Sequence, residues 1–165
     1  MALAPAAVIA LASCGGSSSP TLTQTQFTSQ VNAICTKGSE SSAAVPQPNV
    51  SSSIISPAAA DLPAIAAYLS KEVAVLQHTA DQLKAMGTPP AKQSQWTQSL
   101  AAIQHSVDDA KAAQSAAKSG NVTTYDQALG RVVEDGSTID QAFGGFGAMA
   151  CTSTPSGSPS PSRSP

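Results

Sequence analysis

The residues best suited to acid–base or metal chemistry are two histidines and two acidic doublets. His78 and His105 fall in different predicted helices, each opposite the apolar stripe of its own helix, so their rings are not expected to converge. The doublets are Asp108-Asp109 and Glu134-Asp135. Adjacent helical residues diverge by about 100°, so neither doublet can form a paired acid and base. We predict solvent-facing charges and no catalytic residue.

The motifs of common catalytic and metal sites are missing. There is no Glu-x-x-His pair of the kind that di-metal helical bundles use, and Glu72 and Glu134 are isolated. No Gly-x-Ser-x-Gly occurs, and the glycines of residues 143–147 lack the preceding strand that a phosphate-binding loop requires. The sequence therefore predicts a protein that is not an enzyme and binds no metal or cofactor.

Cys14 is a candidate for lipid attachment. It ends Leu11-Ala12-Ser13-Cys14, which follows a short uncharged apolar run. The run is shorter than the ~20 residues that span a bilayer, and is typical of a signal peptide. The four residues resemble the lipobox of bacterial lipoproteins, which implies cleavage of residues 1–13 and a diacylglyceryl thioether on Cys14, with acyl chains such as palmitate. No Lys or Arg precedes the run. The alternative is an ordinary secretory leader and a secreted, unacylated protein.

Composition predicts one domain between two unstructured segments. Residues 14–22 are glycine- and serine-rich, as expected for a flexible tether. Residues 23–151 suffice for one domain with one core, and the Ser/Pro-rich residues 152–165 are expected to be disordered. Charged residues make up 11% of the chain and the net charge is −2, so there is no basic surface for nucleic acid.

Two cysteines remain in the predicted domain, Cys35 near its start and Cys151 at its end. In an oxidising compartment such a pair predicts a disulfide, and the alternative is two free thiols. Closing a loop of this size stabilises the fold by about 4–5 kcal/mol in the chain-entropy model.

Apolar residues recur at intervals of three and four in four stretches, which predicts four helices. The stripes are Phe27, Val31 and Ile34; Leu62, Ile65, Leu69, Val73, Leu76, Ala80 and Leu83; Trp96, Leu100, Ile103, Val107, Ala110 and Ala117; and Tyr125, Leu129, Val132, Gly136, Ile139 and Phe143.

Start signals precede each stripe. Thr23 and Gln26 have capping-box spacing, and Asp61 can cap the second helix with proline in its first turn. Thr88-Pro89 predicts that the third helix restarts immediately after the second. The fourth is expected from about Thr123.

Stop signals follow. The first helix should fade by Ser42, Gly87 should end the second, and residues 119–121 should break the third. The fourth is expected to end at Phe143, with the glycines of residues 144–147 turning the chain so that the last cysteine can return to the first. Short second and third connections predict an all-α, antiparallel four-helix bundle, up-down-up-down, closed by a Cys35–Cys151 disulfide.

The Pro/Ser-rich connection over residues 43–60 has two interpretations. It is either a binding loop or a segment that crosses one end of the bundle and buries its aliphatics Val50, Ile54 and Ile55. The aromatic residues Trp96, Tyr125 and Phe143 likewise are either core contacts or contacts to an apolar ligand. Tyr68 and Val75 lie off the second stripe and are candidates for an exposed contact surface.

Residues 27–35, Phe-Thr-Ser-Gln-Val-Asn-Ala-Ile-Cys, resemble the opening of a group of small actinobacterial secreted proteins and lipoproteins. Pro89-Pro90, Trp96 and Cys151 match the later part of that outline. The resemblance implies a disulfide-closed helical fold and supplies no catalytic residue.

The sequence thus predicts a lipid-anchored module on the outer face of the cell membrane that acts by binding or interaction, with an envelope protein as its expected partner. The alternative is a carrier of a small apolar ligand or lipid in a cavity between the helices.

Overall fold

Four helices dominate the computed structural model, which describes residues 22–152. They are α1 (Gln24–Ala43), α2 (Leu62–Ala85), α3 (Gln93–Lys118) and α4 (Val122–Phe146), with 3-10 turns at Ala59–Asp61 and Met149–Cys151. Helices adjacent in sequence pack on one another, and no strand occurs within the described range. The predicted all-α, up-down-up-down bundle is confirmed. The predicted signal peptide, the predicted lipidation site at Cys14 and the tail beyond residue 152 lie outside the described residues.

The start of α1 matches its prediction. The Thr23 hydroxyl accepts a hydrogen bond from the Gln26 backbone amide at 3.2 Å, and the Gln26 side chain accepts one from the Thr23 amide at 2.9 Å. The capping box therefore satisfies donors that the first turn of the helix leaves unpaired.

Asp61 does not cap α2, contrary to prediction. Its backbone is already helical, because the 3-10 turn leads directly into α2, and its side chain makes no capping bond. A capping side chain needs an extended backbone to reach the amides of the first turn. The Asp61 carboxylate instead accepts hydrogen bonds from the amides and hydroxyls of Ser51 and Ser52. The predicted proline, Pro63, does lie in the first turn.

The prediction that α3 restarts at Thr88-Pro89 is wrong. Gly87 ends α2 with a φ of 75°, as predicted, but α3 begins only at Gln93, after Lys92 at a φ of 57°. Pro90 disfavours the helical conformation at the residue before it. The resulting loop is bonded to its surroundings, because the Trp96 indole donates to the Gly87 carbonyl at 2.8 Å.

The start of α4 agrees with the prediction to within one residue, but its end does not. Asn121 caps it by accepting from the Thr124 amide at 3.0 Å, so the helix starts one residue early. It continues through two glycines to Phe146, and Gly147, at a φ of 99°, turns the chain. The extension buries Phe146 in the core. Burying an aromatic ring, worth about 1.5–3 kcal/mol, offsets a helix penalty of about 1 kcal/mol per glycine.

The core consists of two clusters at opposite ends of the bundle. The aromatic cluster contains Phe27, Trp96, Phe143 and Phe146 together with aliphatic residues of α1, α2 and α3. The alanine cluster surrounds Tyr125, and is built from Leu62, Ile65, Ala66, Leu69, Ala113, Ala116, Ala117 and Ala128.

The predicted Cys35–Cys151 disulfide is present, with the two Cα atoms 5.0 Å apart across a sequence separation of 116. It ties α1 to the C-terminal 3-10 turn beside the aromatic cluster. Within residues 22–152, no helix combines the length and the apolar character that crossing a membrane requires.

Candidate functional site

A cleft of about 550 Å³ opens to solvent in the middle of the bundle. All four helices and the C-terminal turn contribute to its walls, and the disulfide lies along one side. Leu69 of the alanine cluster and Ile103 and Phe143 of the aromatic cluster line it, so the cleft lies where the two clusters fail to meet. Its surface is mainly apolar, with Val75, Val132 and Ile139 among the lining side chains; hydroxyl groups lie at its α1 side.

The close approach of α1 to α2 shapes one edge of the cleft. A Cβ added at Gly38 would lie 2.6 Å from the Thr79 hydroxyl oxygen, which is closer than atoms can pack. The Thr79 hydroxyl donates to the Val75 carbonyl one turn earlier, at 3.0 Å, and is thereby held in place. Glycine at position 38 therefore permits this helix contact, which sequence analysis did not identify. The sequence signal that could have predicted this contact is the position of Gly38 in the interior of a helix, where glycine is unfavourable.

Glu72 of α2 brings a carboxylate to the cleft. Its Oε2 accepts a hydrogen bond from the Ser42 hydroxyl of α1 at 2.6 Å. Its Oε1 is buried and accepts no hydrogen bond from any described residue. Glu72 is isolated in the sequence, because nothing in the pattern of α2 reveals that α1 passes close to it.

Tyr68 lies one turn before Glu72 on α2, half-buried, with its hydroxyl 3.4 Å from the Gln47 side-chain amide. Burial raises the pKa of Tyr68, the Gln47 hydrogen bond lowers it by less, and the nearby Glu72 carboxylate raises it through its charge and through a side-chain hydrogen bond. Tyr68 is therefore a neutral phenol at physiological pH, and it adds no second charge near Glu72.

The three aromatic residues singled out from the sequence do not form one site. Trp96 and Phe143 contact each other edge-to-face in the aromatic cluster, with ring centroids 6.4 Å apart, whereas Tyr125 lies in the alanine cluster. All three are buried, at 3%, 0% and 0% exposure respectively. Of the three, Phe143 reaches the cleft.

The histidines point to solvent, as their helical positions predicted: both His78 and His105 are exposed. In the described part of the chain, no three His, Cys, Asp or Glu side chains are grouped so as to hold a metal ion.

The acidic doublets are not simply solvated faces. Asp108 and Glu134 are exposed, but Asp109 and Asp135 turn toward each other between α3 and α4. Arg131 donates to Asp109 at 2.7 Å. Burial and the neighbouring Asp109 charge raise the pKa of Asp135. Asp109 and Asp135 belong to different helices. The spacing of residues within one helix therefore does not predict that they lie close together.

Comparisons with other proteins add no assignment to this geometry. No protein-family model matches the chain, no curated protein is significantly similar to it, and no solved structure matches it.

Proposed function

We propose that this protein is a lipid-anchored, extracytoplasmic binding module that holds a small, mainly apolar ligand in the cleft between its helices. The observation that carries the proposal is the cleft itself. Its volume of about 550 Å³ falls within the ~300–1,000 Å³ of typical ligand pockets. Apolar walls with a few convergent polar groups are also typical of such pockets.

The same observation favours a small ligand over a protein partner. A protein-docking surface usually exposes a contiguous apolar patch. The large exposed apolar side chains of the described residues are Ile55, Val133 and Met149, which lie in the long connection, in α4 and in the C-terminal turn. The apolar side chains of Val75, Val132 and Ile139, by contrast, line a single cleft.

The anchored location rests on the sequence Leu11-Ala12-Ser13-Cys14. Substitution Cys14→Ser is expected to move the protein from the membrane fraction to the soluble or secreted fraction, because it removes the acylated thiol. Fractionation followed by intact mass spectrometry checks this result. Unchanged partitioning would contradict the anchor and leave the binding module as a separate question.

Ligand binding is tested by filling the cleft. Ser39 is an exposed residue of α1 that lines the cleft, so Ser39→Trp should place an indole in the opening without disturbing the core. The neutral fluorophore N-phenyl-1-naphthylamine is expected to bind the unmodified full chain with one-to-one stoichiometry, and to bind Ser39→Trp at least about tenfold more weakly, a loss of about 1.4 kcal/mol.

Ser29→Trp is the matched control, since Ser29 is equally exposed on α1 but does not line the cleft. It should bind the fluorophore as the unmodified chain does. Equal affinity of Ser39→Trp and Ser29→Trp would show that the fluorophore binds elsewhere, and would refute the proposal.

A further inference from the structure

The cleft contains one charged group among its described lining residues, the Glu72 carboxylate. No lysine, arginine or histidine of residues 22–152 lines the cleft, so this part of the chain supplies no cation there. A carboxylate at an apolar surface, away from bulk water, is costly unless it is paired and hydrogen-bonded.

The protein provides a hydrogen bond to one of the two oxygens of this carboxylate. Ser42 donates to Oε2 and thereby orients the group across the gap between α1 and α2. Oε1 remains buried, with no hydrogen-bond partner among the residues that the structure describes. Since Oε1 accepts from no group of residues 22–152, it is available to solvent or to a molecule that enters the cleft.

We propose that the ligand is an amphipathic amine whose protonated nitrogen donates to Glu72 Oε1 while its apolar part packs in the rest of the cleft. This inference deepens the proposed function and rests on it. A protonated amine supplies both the missing donor and the missing positive charge. Its hydrogen bond to a carboxylate is stronger than one between neutral groups. The apolar part would contact the lining aliphatics Val75, Val132 and Ile139.

The same geometry predicts which molecules are rejected. A fatty acid or a lipid phosphate would bring a second negative charge to Glu72, with no cation among the described lining residues to compensate. A neutral alcohol of equal chain length can donate a hydrogen bond but carries no charge, so it should bind with intermediate affinity. The cleft should therefore rank head groups in the order amine, alcohol, carboxylate.

Three probes with one tail test this order: decylamine, decan-1-ol and decanoate, titrated calorimetrically into the full chain at neutral pH, the two ions below their micelle concentrations and the alcohol below its solubility limit. Decylamine is expected to bind roughly 10–100-fold more tightly than decan-1-ol, the range typical of a hydrogen bond to a charged group. Decanoate is expected to show no measurable binding.

The variant Glu72→Gln keeps the shape of the side chain and removes its charge. It should weaken decylamine to the affinity of decan-1-ol and leave the affinity for decan-1-ol unchanged. Glu134→Gln removes the same charge from an exposed position outside the cleft, and should preserve the preference for the amine. An equal loss in both variants would attribute the preference to the net charge of the protein, and would overturn the inference.

The remaining outcomes separate the two proposals. If decylamine and decan-1-ol bind the unmodified chain equally, the cleft binds ligands but Glu72 does not select amines, so this inference alone fails. If none of the three probes binds, both proposals fail. The comparison of probes on the unmodified chain decides the matter even if Glu72→Gln does not fold.

Discussion

The two ends of the bundle are stabilised by different kinds of interaction. At the disulfide end, the Phe27 ring lies 5.1 Å from Trp96 and 5.9 Å from Phe146, both edge-to-face. At the opposite end, Tyr125 packs among alanines. Edge-to-face aromatic pairs contribute about 0.5–1.5 kcal/mol beyond the area they bury, whereas alanine side chains bury little area. The alanine end therefore depends more on other interactions.

The long connection over residues 44–58 supplies those interactions. Val50 packs against the alanine cluster, and the Tyr125 hydroxyl donates to the Ile54 carbonyl at 2.8 Å. Asp61 holds the same segment through Ser51 and Ser52. The prediction that this connection crosses the end of the bundle is therefore confirmed for Val50, while Ile55, at 77% exposure, is not buried.

One small bundle therefore combines an aromatic end closed by a disulfide with an end held by directional hydrogen bonds. A perturbation at the first end should destabilise the whole domain. A perturbation at the second should act mainly on the connection.

The largest effect is expected from the disulfide. Cys35→Ser, Cys151→Ser and the double variant should each lower the free energy of unfolding by about 5 kcal/mol, the chain-entropy value for a loop of this length. The three losses should be equal, because each variant removes the same bond. Urea denaturation at equilibrium measures them. Losses that add in the double variant would contradict a shared bond.

An intermediate effect is expected from Tyr125→Phe. The substitution keeps the ring and removes the donor to Ile54, for a loss of about 0.5–1.5 kcal/mol. Burial raises the pKa of Tyr125 to about 12, helped by the charge of Asp126, so the hydroxyl remains a donor at any physiological pH.

Hydrogen exchange locates this effect. Amides of the connection should exchange faster in Tyr125→Phe, with little change around the aromatic cluster. Tyr68→Phe is the matched control, because its hydroxyl meets Gln47 at 3.4 Å in a more exposed position and should matter less. Faster exchange throughout the domain would contradict the proposed division between the two ends.

The smallest effect is expected from the pH dependence of Asp61. The Ser52 hydroxyl, followed by the Ser51 amide, lowers the pKa of this carboxyl below its ordinary 3.8. A lowered pKa in the folded state means that the contribution to stability is present above pH 3.8 and is lost as the pH falls through the lowered value.

Thermal melting at about pH 6 and about pH 3 checks this contribution. The difference in melting temperature should be smaller for Asp61→Asn than for the unmodified chain. Asp126→Asn, which alters an exposed carboxyl, should leave the difference unchanged. Identical pH dependence in the two variants would show that Asp61 does not hold the connection.

Local signals in the sequence predicted most of the secondary structure. The capping box at Thr23 and the stop at Gly87 act within one or two turns of helix, so neighbouring residues suffice to identify them. The apolar stripes also sufficed, since Trp96, Phe143 and Tyr125 are all buried. The prediction at Asp61 failed because the carboxylate accepts hydrogen bonds from Ser51 and Ser52 instead of capping α2. The prediction at Thr88-Pro89 failed because Pro90 disfavours a helical conformation at the residue before it, and α3 begins only at Gln93.

The candidate site could not be predicted in the same way. Glu72 and Ser42 are 30 residues apart in the sequence. They form a hydrogen bond because α1 and α2 lie close together at these two positions. Gly38 matters for the same reason, since its missing Cβ admits Thr79. Neither position carries a signal that a helical projection of its own segment can show.

The sequence alone determined that the chain forms four amphipathic helices, and its two cysteines predicted how the domain is closed. Periodicity and thiol chemistry are properties of single segments and single residues, so no packing information was needed. The tertiary structure decided that the two core clusters do not meet, and that the resulting cleft holds a carboxylate of which one oxygen has no hydrogen-bond partner among residues 22–152. Such a cleft depends on the spacing and angle between whole helices, which are set by contacts among residues far apart in the chain.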